Sequence, residues 1–144
     1  MNSILKIITI FSVFFICSCL NFYTSSSSSL LNDNEIDKKY IGLYESGITT
    51  TDSHNITYQA YVSVTISSGG VATVNISGEY GYISFLNNIY KEDMVKLSDN
   101  SYSASITSSG YRYYFTFTFS DYALNFYFDR NDGTKGSGNL TKVR

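Results

Sequence analysis

Over residues 55–67 the chain alternates without a break. Ile56, Tyr58, Ala60, Val62, Val64 and Ile66 interleave with Thr57, Gln59, Tyr61, Ser63 and Thr65. A period of two sends successive side chains to opposite faces, so this stretch reads as a long strand with one apolar and one polar face. Ser68-Gly69-Gly70 then supplies the backbone freedom of a tight turn. Ala72, Val74 and Ile76 alternating with Thr73, Asn75 and Ser77 make the hairpin partner.

The same period runs on through residues 82–86, a more charged segment at 91–97, and 101–107, where Tyr102, Ala104 and Ile106 share a face. After the turn Ser108-Ser109-Gly110, residues 112–120 set Tyr113, Phe115, Phe117 and Phe119 against Tyr114, Thr116 and Thr118, which marks the centre of the core. Residues 124–129 repeat the alternation, Asn131-Asp132-Gly133 is a turn, and 136–143 closes the chain. With 40–46 as the first, about eight strands are expected. Aromatic residues are 17 % of the chain and proline is absent, which suits pleated surfaces. No segment after Tyr40 carries a helical stripe, so no crossover is available for a parallel sheet. The expected fold is all-β: an antiparallel up-and-down meander closing into a small lipocalin-like barrel, with a two-sheet sandwich as the alternative.

The amino terminus follows different rules. One positive charge, Lys6, precedes the apolar run 7–16, which is ten residues long. Ten residues rise about 15 Å as a helix. Crossing hydrocarbon takes about 20, so the run fits the apolar region of a secretory signal better than a spanning helix. Residues 20–39 contain five consecutive serines, Ser25 to Ser29, and a polar stretch at 32–39. Serine repeats bury no apolar area, so 20–39 reads as a flexible tether reaching on the order of 25 Å, the alternative being a short helix over 30–38. The expected organisation is signal peptide 1–18, modified cysteine and tether 19–39, and an all-β domain over 40–144.

The chain offers little chemistry. Its net charge is -2, and losing Lys6 with the signal leaves 9 basic against 12 acidic groups, which gives no field to attract nucleic acid. The one histidine, His54, stands in a polar turn with Asp52 and Ser53 as mere neighbours, so a surface histidine is expected rather than a triad. Asp129-Arg130-Asn131-Asp132-Gly133 superficially resembles a calcium loop, but glycine falls at position 5 and position 12 is Leu140, so it reads as a hairpin turn. Glu79 and the Glu92-Asp93 pair read as solvated strand ends. Gly136-Ser137-Gly138 lacks the lysine and helix of a phosphate loop. No catalytic residue, metal site or cofactor is expected, and the chain is read as a non-enzyme. If the polar-face assignment holds, Tyr61, Tyr114 and Tyr127 are exposed and available as binding aromatics.

Ile16-Cys17-Ser18-Cys19 resembles the lipobox of bacterial lipoproteins, with an aliphatic residue three before the cysteine and a small one directly before it. The resemblance implies signal-peptidase recognition through Ile16 and Ser18, and diacylglycerol and N-acyl groups on Cys19. Cys17 is the minor alternative; it would put Ile16 and Phe14 where smaller or differently shaped residues are preferred. With the serine tether and the proline-free, Asn-, Ile- and Tyr-rich composition, the chain looks like the small outer-membrane lipoproteins of anaerobic intestinal spirochaetes (Brachyspira/Serpulina type). That resemblance implies a lipid-anchored, surface-exposed protein of the cell outer membrane, held to lipid through acylated Cys19. Its partner would be a host or envelope protein. The alternative is a lipocalin-like barrel around a small hydrophobic ligand, although Ile41-Gly42-Leu43-Tyr44 stands where lipocalins have Gly-x-Trp. A membrane-spanning barrel is disfavoured by the abundance of Thr, Ser, Asn and Gln on the polar face.

Overall fold

A computed structural model describes residues 34–143. Ile16, Cys17, Ser18, Cys19 and the serine run lie outside the described residues, so the cleavage and lipidation readings are carried by sequence alone.

The alternation becomes nine strands: β1 Gly42–Thr51, β2 Thr57–Ile66, β3 Ala72–Gly78, β4 Ser84–Ile89, β5 Met94–Ser98, β6 Ser101–Ser108, β7 Tyr111–Phe119, β8 Ala123–Arg130 and β9 Lys135–Lys142. They form a single sheet in the order β4-β3-β2-β1-β9-β8-β7-β6-β5, antiparallel throughout. The first strand pairs with the last, and hydrogen bonding is missing only between β4 and β5. The wall is a nearly closed barrel, not a sandwich. It has nine strands where about eight were expected: each alternating segment of the sequence supplies one, and the charged segment 91–97 supplies a 3₁₀ turn, Lys91–Asp93, and the short β5. The first strand also runs on to Thr51, since Ile48 and Thr50 keep facing inward beyond Gly47.

The inward rows are apolar as the alternation requires. Phe115, Phe117, Phe119, Phe126 and Phe128 are each no more than 1 % exposed. Neighbouring rings among them stand 5.9–6.2 Å apart, within the range of favourable aromatic pairs. Phe85 of β4 reaches across the unpaired seam to Tyr113 at 4.5 Å and Phe115 at 5.2 Å, so ring contacts hold the wall where the ladder does not. On β9 the inward positions Gly136 and Gly138 make room for this packing. A Cβ on Gly136 would lie 2.7 Å from both Phe128 Cε1 and Thr50 Cγ2, and one on Gly138 would lie 2.5 Å from Ile48 Cγ2. These two glycines, near the start of β9, are places where the interior leaves no space.

The end of the barrel where β1 begins is the upper mouth. Here the tether reading needs correction, because residues 34–40 lie against the barrel instead of hanging free. Ile36 is 1 % exposed, and the Tyr40 ring stacks on Phe119 at 4.5 Å. Asp37 N donates to the buried Tyr102 Oη at 3.2 Å, and Tyr44 Oη donates to Tyr40 O at 2.9 Å. Asn34 Oδ1 accepts from Lys96 N of β5 at 3.5 Å. A lone isoleucine between charged residues has no period to betray it, so sequence placed the domain boundary too late. The segment ends in a 3₁₀ turn, Lys38–Tyr40, capped by Asp37, whose carboxylate accepts from Lys39 N.

Candidate functional site

The outer wall is polar along β2 and β9, while Leu86 of β4 and Val95 and Leu97 of β5 stand exposed on the two strands that flank the unpaired seam. Thr57, Gln59 and Thr65 of β2 and Lys135, Ser137, Asn139 and Thr141 of β9 all face outward and exposed. A barrel crossing a bilayer needs a continuous apolar outward band, and β2 and β9 have the opposite arrangement, apolar within and polar without.

Tyr61, Tyr114 and Tyr127 lie on this outer face, 47 %, 45 % and 37 % exposed. Register fixes their spacing. Tyr61 of β2 stands opposite Gly47 of β1, while Tyr127 of β8 stands opposite Ser137 of β9, itself opposite Thr49 of β1. The two rings are therefore three strands apart, about a third of the way around the nine-stranded wall, and their side chains diverge. Tyr114 of β7 pairs with Asp129, two positions from Tyr127, and so is its diagonal neighbour. Two separate open depressions of about 410 Å³ each lie beside these rings. One runs from Gly47 past Gln59 and Tyr61 to Ser77 and Glu79, toward β3; the other is bordered by Thr49, Tyr127, Lys135 and Ser137. The structure thus places two of the three tyrosines together and sets the third apart. Gly47, exposed beside Tyr61, was not singled out in the sequence; a glycine inside an otherwise regular strand was the available signal.

Carboxylates flank both rings. Glu45 beside the Tyr61 hydroxyl raises its pKa above the usual phenol value, and burial followed by the Asp129 charge does the same for Tyr127. Both hydroxyls stay protonated and able to donate at neutral pH.

The lower mouth, where β1 ends, holds the Arg130–Asp132 ion pair. Arg130 Nε and Nη2 donate to the two Asp132 oxygens at 2.9 and 2.7 Å, and Nη2 also donates to Thr134 Oγ1 at 3.0 Å. The Arg130 guanidinium lies 4.4 Å from the centroid of the Tyr111 ring. These hydrogen bonds from Arg130 hold the Asp132 carboxyl down to about 2. The supposed calcium loop is thus a turn whose acid is already engaged by an arginine. Asp52, lowered chiefly by the Ile56 amide, accepts from Ile56 N at 2.9 Å and His54 N at 2.8 Å. His54 Nδ1 sits 3.7 Å from Asp52 Oδ2 and 3.4 Å from Ser53 Oγ, with its side chain 81 % exposed. The three neighbours build a turn around the Asp52 carboxylate, the geometry of a loop rather than of an oriented triad. Nearby, Tyr58 and Tyr82 stack at 4.1 Å, and burial pushes Tyr82 up to about 12.

No family model and no curated protein matches this chain. Among solved structures it is similar to a redesigned β-barrel, at 18 % identity and a TM-score of 0.48, over 74 % of this chain and 93 % of that one. What the fold and the wall define is a small β-barrel with a packed apolar interior and a largely polar exterior on which Tyr61, Tyr114 and Tyr127 stand exposed.

Proposed function

We propose that this chain is a lipid-anchored surface lipoprotein of an outer membrane, and that its barrel is a non-enzymatic interaction or structural module. In this reading the signal is cut after Ser18 with Ile16 and Ser18 recognised, and Cys19 carries the acyl chains. Each buried acyl methylene contributes about 0.8 kcal/mol, so two or three chains anchor far more firmly than one. The observation that carries the functional half is the interior: rings in mutual contact occupy it, so the exterior is the surface left to work with. The engaged carboxylates of Asp52 and Asp132 support the non-enzymatic reading.

The alternative, a lipocalin-like carrier of a small hydrophobic ligand, is favoured by the barrel wall and opposed by the ring packing. A fluorescent fatty-acid probe binding at one per chain would support it.

The anchor is tested by metabolic labelling with a palmitate analogue, followed by protease shaving of intact cells. Label is expected in wild type and lost in Cys19→Ala. Label that survives in Cys19→Ala and is lost in Cys17→Ala would move the site. Resistance to shaving would place the domain inside the envelope.

A further inference from the structure

The upper mouth carries a fringe of exposed apolar side chains. Tyr122, in the turn from β7 to β8, is 81 % exposed, and Ile41, Tyr90, Leu97 and Val143 are exposed with it. Each stands where a strand begins or ends at this mouth. Ile41 precedes β1 and Val143 follows β9, where Val143 N donates to Leu43 O at 2.8 Å. Lys142 N donates to Tyr122 O at 2.9 Å, which sets Tyr122 beside that end of β9. Leu97 is the last residue but one of β5, and the turn after it lies against the end of β7, since Phe119 N donates to Asn100 O at 2.8 Å. Tyr90 follows Ile89, the last residue of β4, which pairs with Ala72 at the start of β3.

The lysines gather at the same end. Of the six among the described residues, Lys38, Lys39, Lys91, Lys96 and Lys142 stand at the upper mouth, and Lys135 alone begins β9 at the lower one. Glu35, Asp37, Glu92, Asp93, Asp99 and Asp121 stand among them, so the charges nearly cancel. The described chain also starts here, because Asn34 Oδ1 accepts from Lys96 N, and only residues 20–33 separate Asn34 from Cys19. In the lipid-anchor reading, a lipid on Cys19 draws this mouth toward the bilayer and leaves the other a strand's length away.

We propose that the upper mouth seats on the zwitterionic surface of the bilayer that anchors the chain, with its fringe in the headgroup region and its lysines at the level of the phosphates. Tyrosine and lysine are suited to that interface, the ring by its apolar body and polar tip and the lysine by laying down its stem while its ammonium stays in water. The five fringe residues come from five separate parts of the chain around one end of a barrel, an arrangement that a flat surface meets together. Balanced charge gives no field toward anionic lipid, which selects a zwitterionic surface. The lower mouth lacks the combination: Ile56 and Tyr80 are exposed there, but its one described lysine is Lys135 and Tyr111 lies under Arg130.

The seating rests on the lipid-anchor reading for what brings the membrane near, and its test reads the rim itself. The chain contains no tryptophan, so a single introduced one reports alone. Full chains carrying Tyr122→Trp, Leu97→Trp, Tyr80→Trp or Tyr61→Trp are purified in detergent and reconstituted in phosphatidylcholine vesicles, with and without brominated acyl chains. Circular dichroism matching wild type selects the variants that are folded. Tryptophan at 122 and 97 is expected to emit further to the blue than at 80 and 61, and to be quenched by the brominated chains. At 80 and 61 it should keep its intensity. Adding phosphatidylglycerol or raising the salt should leave this pattern unchanged. The proposal is overturned by quenching at 122 and 97 no greater than at 80 and 61, or by quenching that appears only with phosphatidylglycerol, which would make the contact one with anionic lipid. Loss of palmitate labelling from wild type with the quenching pattern kept would overturn the anchor reading alone; labelling kept with no quenching at 122 and 97 would overturn the seating alone.

Discussion

The two mouths of the barrel are closed by different physics. At the upper mouth an isoleucine and a tyrosine from residues 34–40 lie on the core, and the buried hydroxyls of Tyr44 and Tyr102 are satisfied by the main chain of that segment. At the lower mouth an arginine, an aspartate and a threonine close on one another beneath a tyrosine ring. An apolar closure draws on surface removed from water and is indifferent to pH, whereas an ionic one is tied to the protonation of its members. One wall thus carries an end closed chiefly by apolar burial, where Asp37 and Lys39 pair only at the surface, and an end closed by a less exposed ion pair that acid weakens.

The largest way to break this contrast is at the upper mouth. Tyr40→Ala removes a ring stacked on Phe119 and should destabilise the barrel by about 3–5 kcal/mol in urea unfolding, with the acid dependence unchanged. Next is Arg130→Met, which keeps the volume but strips the charged donor from Asp132, and should lower stability by about 2 kcal/mol near neutral pH.

The acid dependence sharpens the comparison further. The Asp132 carboxyl titrates near 4 when unfolded and about 2 when folded, so its contribution is fully present above pH 4. It should be lost as pH falls from 4 through 2. Asp132→Asn should flatten the melting temperature over that interval, while Tyr40→Ala keeps the wild-type slope. A wild-type slope in Asp132→Asn would mean that other carboxylates, Asp52 first among them, set the acid limit. The smallest effect is expected at Tyr82, whose buried hydroxyl has no hydrogen-bond partner among the described residues. Folding raises its pKa from 10 to about 12, so it contributes stability below pH 10 that is lost as pH rises through 12. Tyr82→Phe should remove that alkaline loss and be neutral or stabilising by about 1 kcal/mol at pH 7.

How much of this was legible in the sequence depended on periodicity. The strand faces of β2, β3 and β7 and the exposure of Tyr61, Tyr114 and Tyr127 could be read from alternation, because the period fixes which side chains share a face. Ile36 could not, since a single buried residue makes no period. The engagement of Asp132 by Arg130 was hidden because the turn's composition suits a hairpin or an ion loop equally well, and only the inward aim of the arginine separates them. The placement of the tyrosines was half visible: each belongs to a pattern, but how far apart they stand depends on β1 meeting β9, and pairing between distant strands leaves no local mark.

That meeting of first and last strands also governs how the chain can assemble. Hairpins β1 through β4 and β5 through β9 are each built from near neighbours, and among the described residues the only ladder joining these two runs is the one between β1 and β9. Emerging from a ribosome or an export channel, β1 must wait for nearly the whole chain before its second partner exists. A permuted chain that begins at β5 and ends at β4, with the old termini linked, would turn this latest contact into a local hairpin and should fold faster than the natural order.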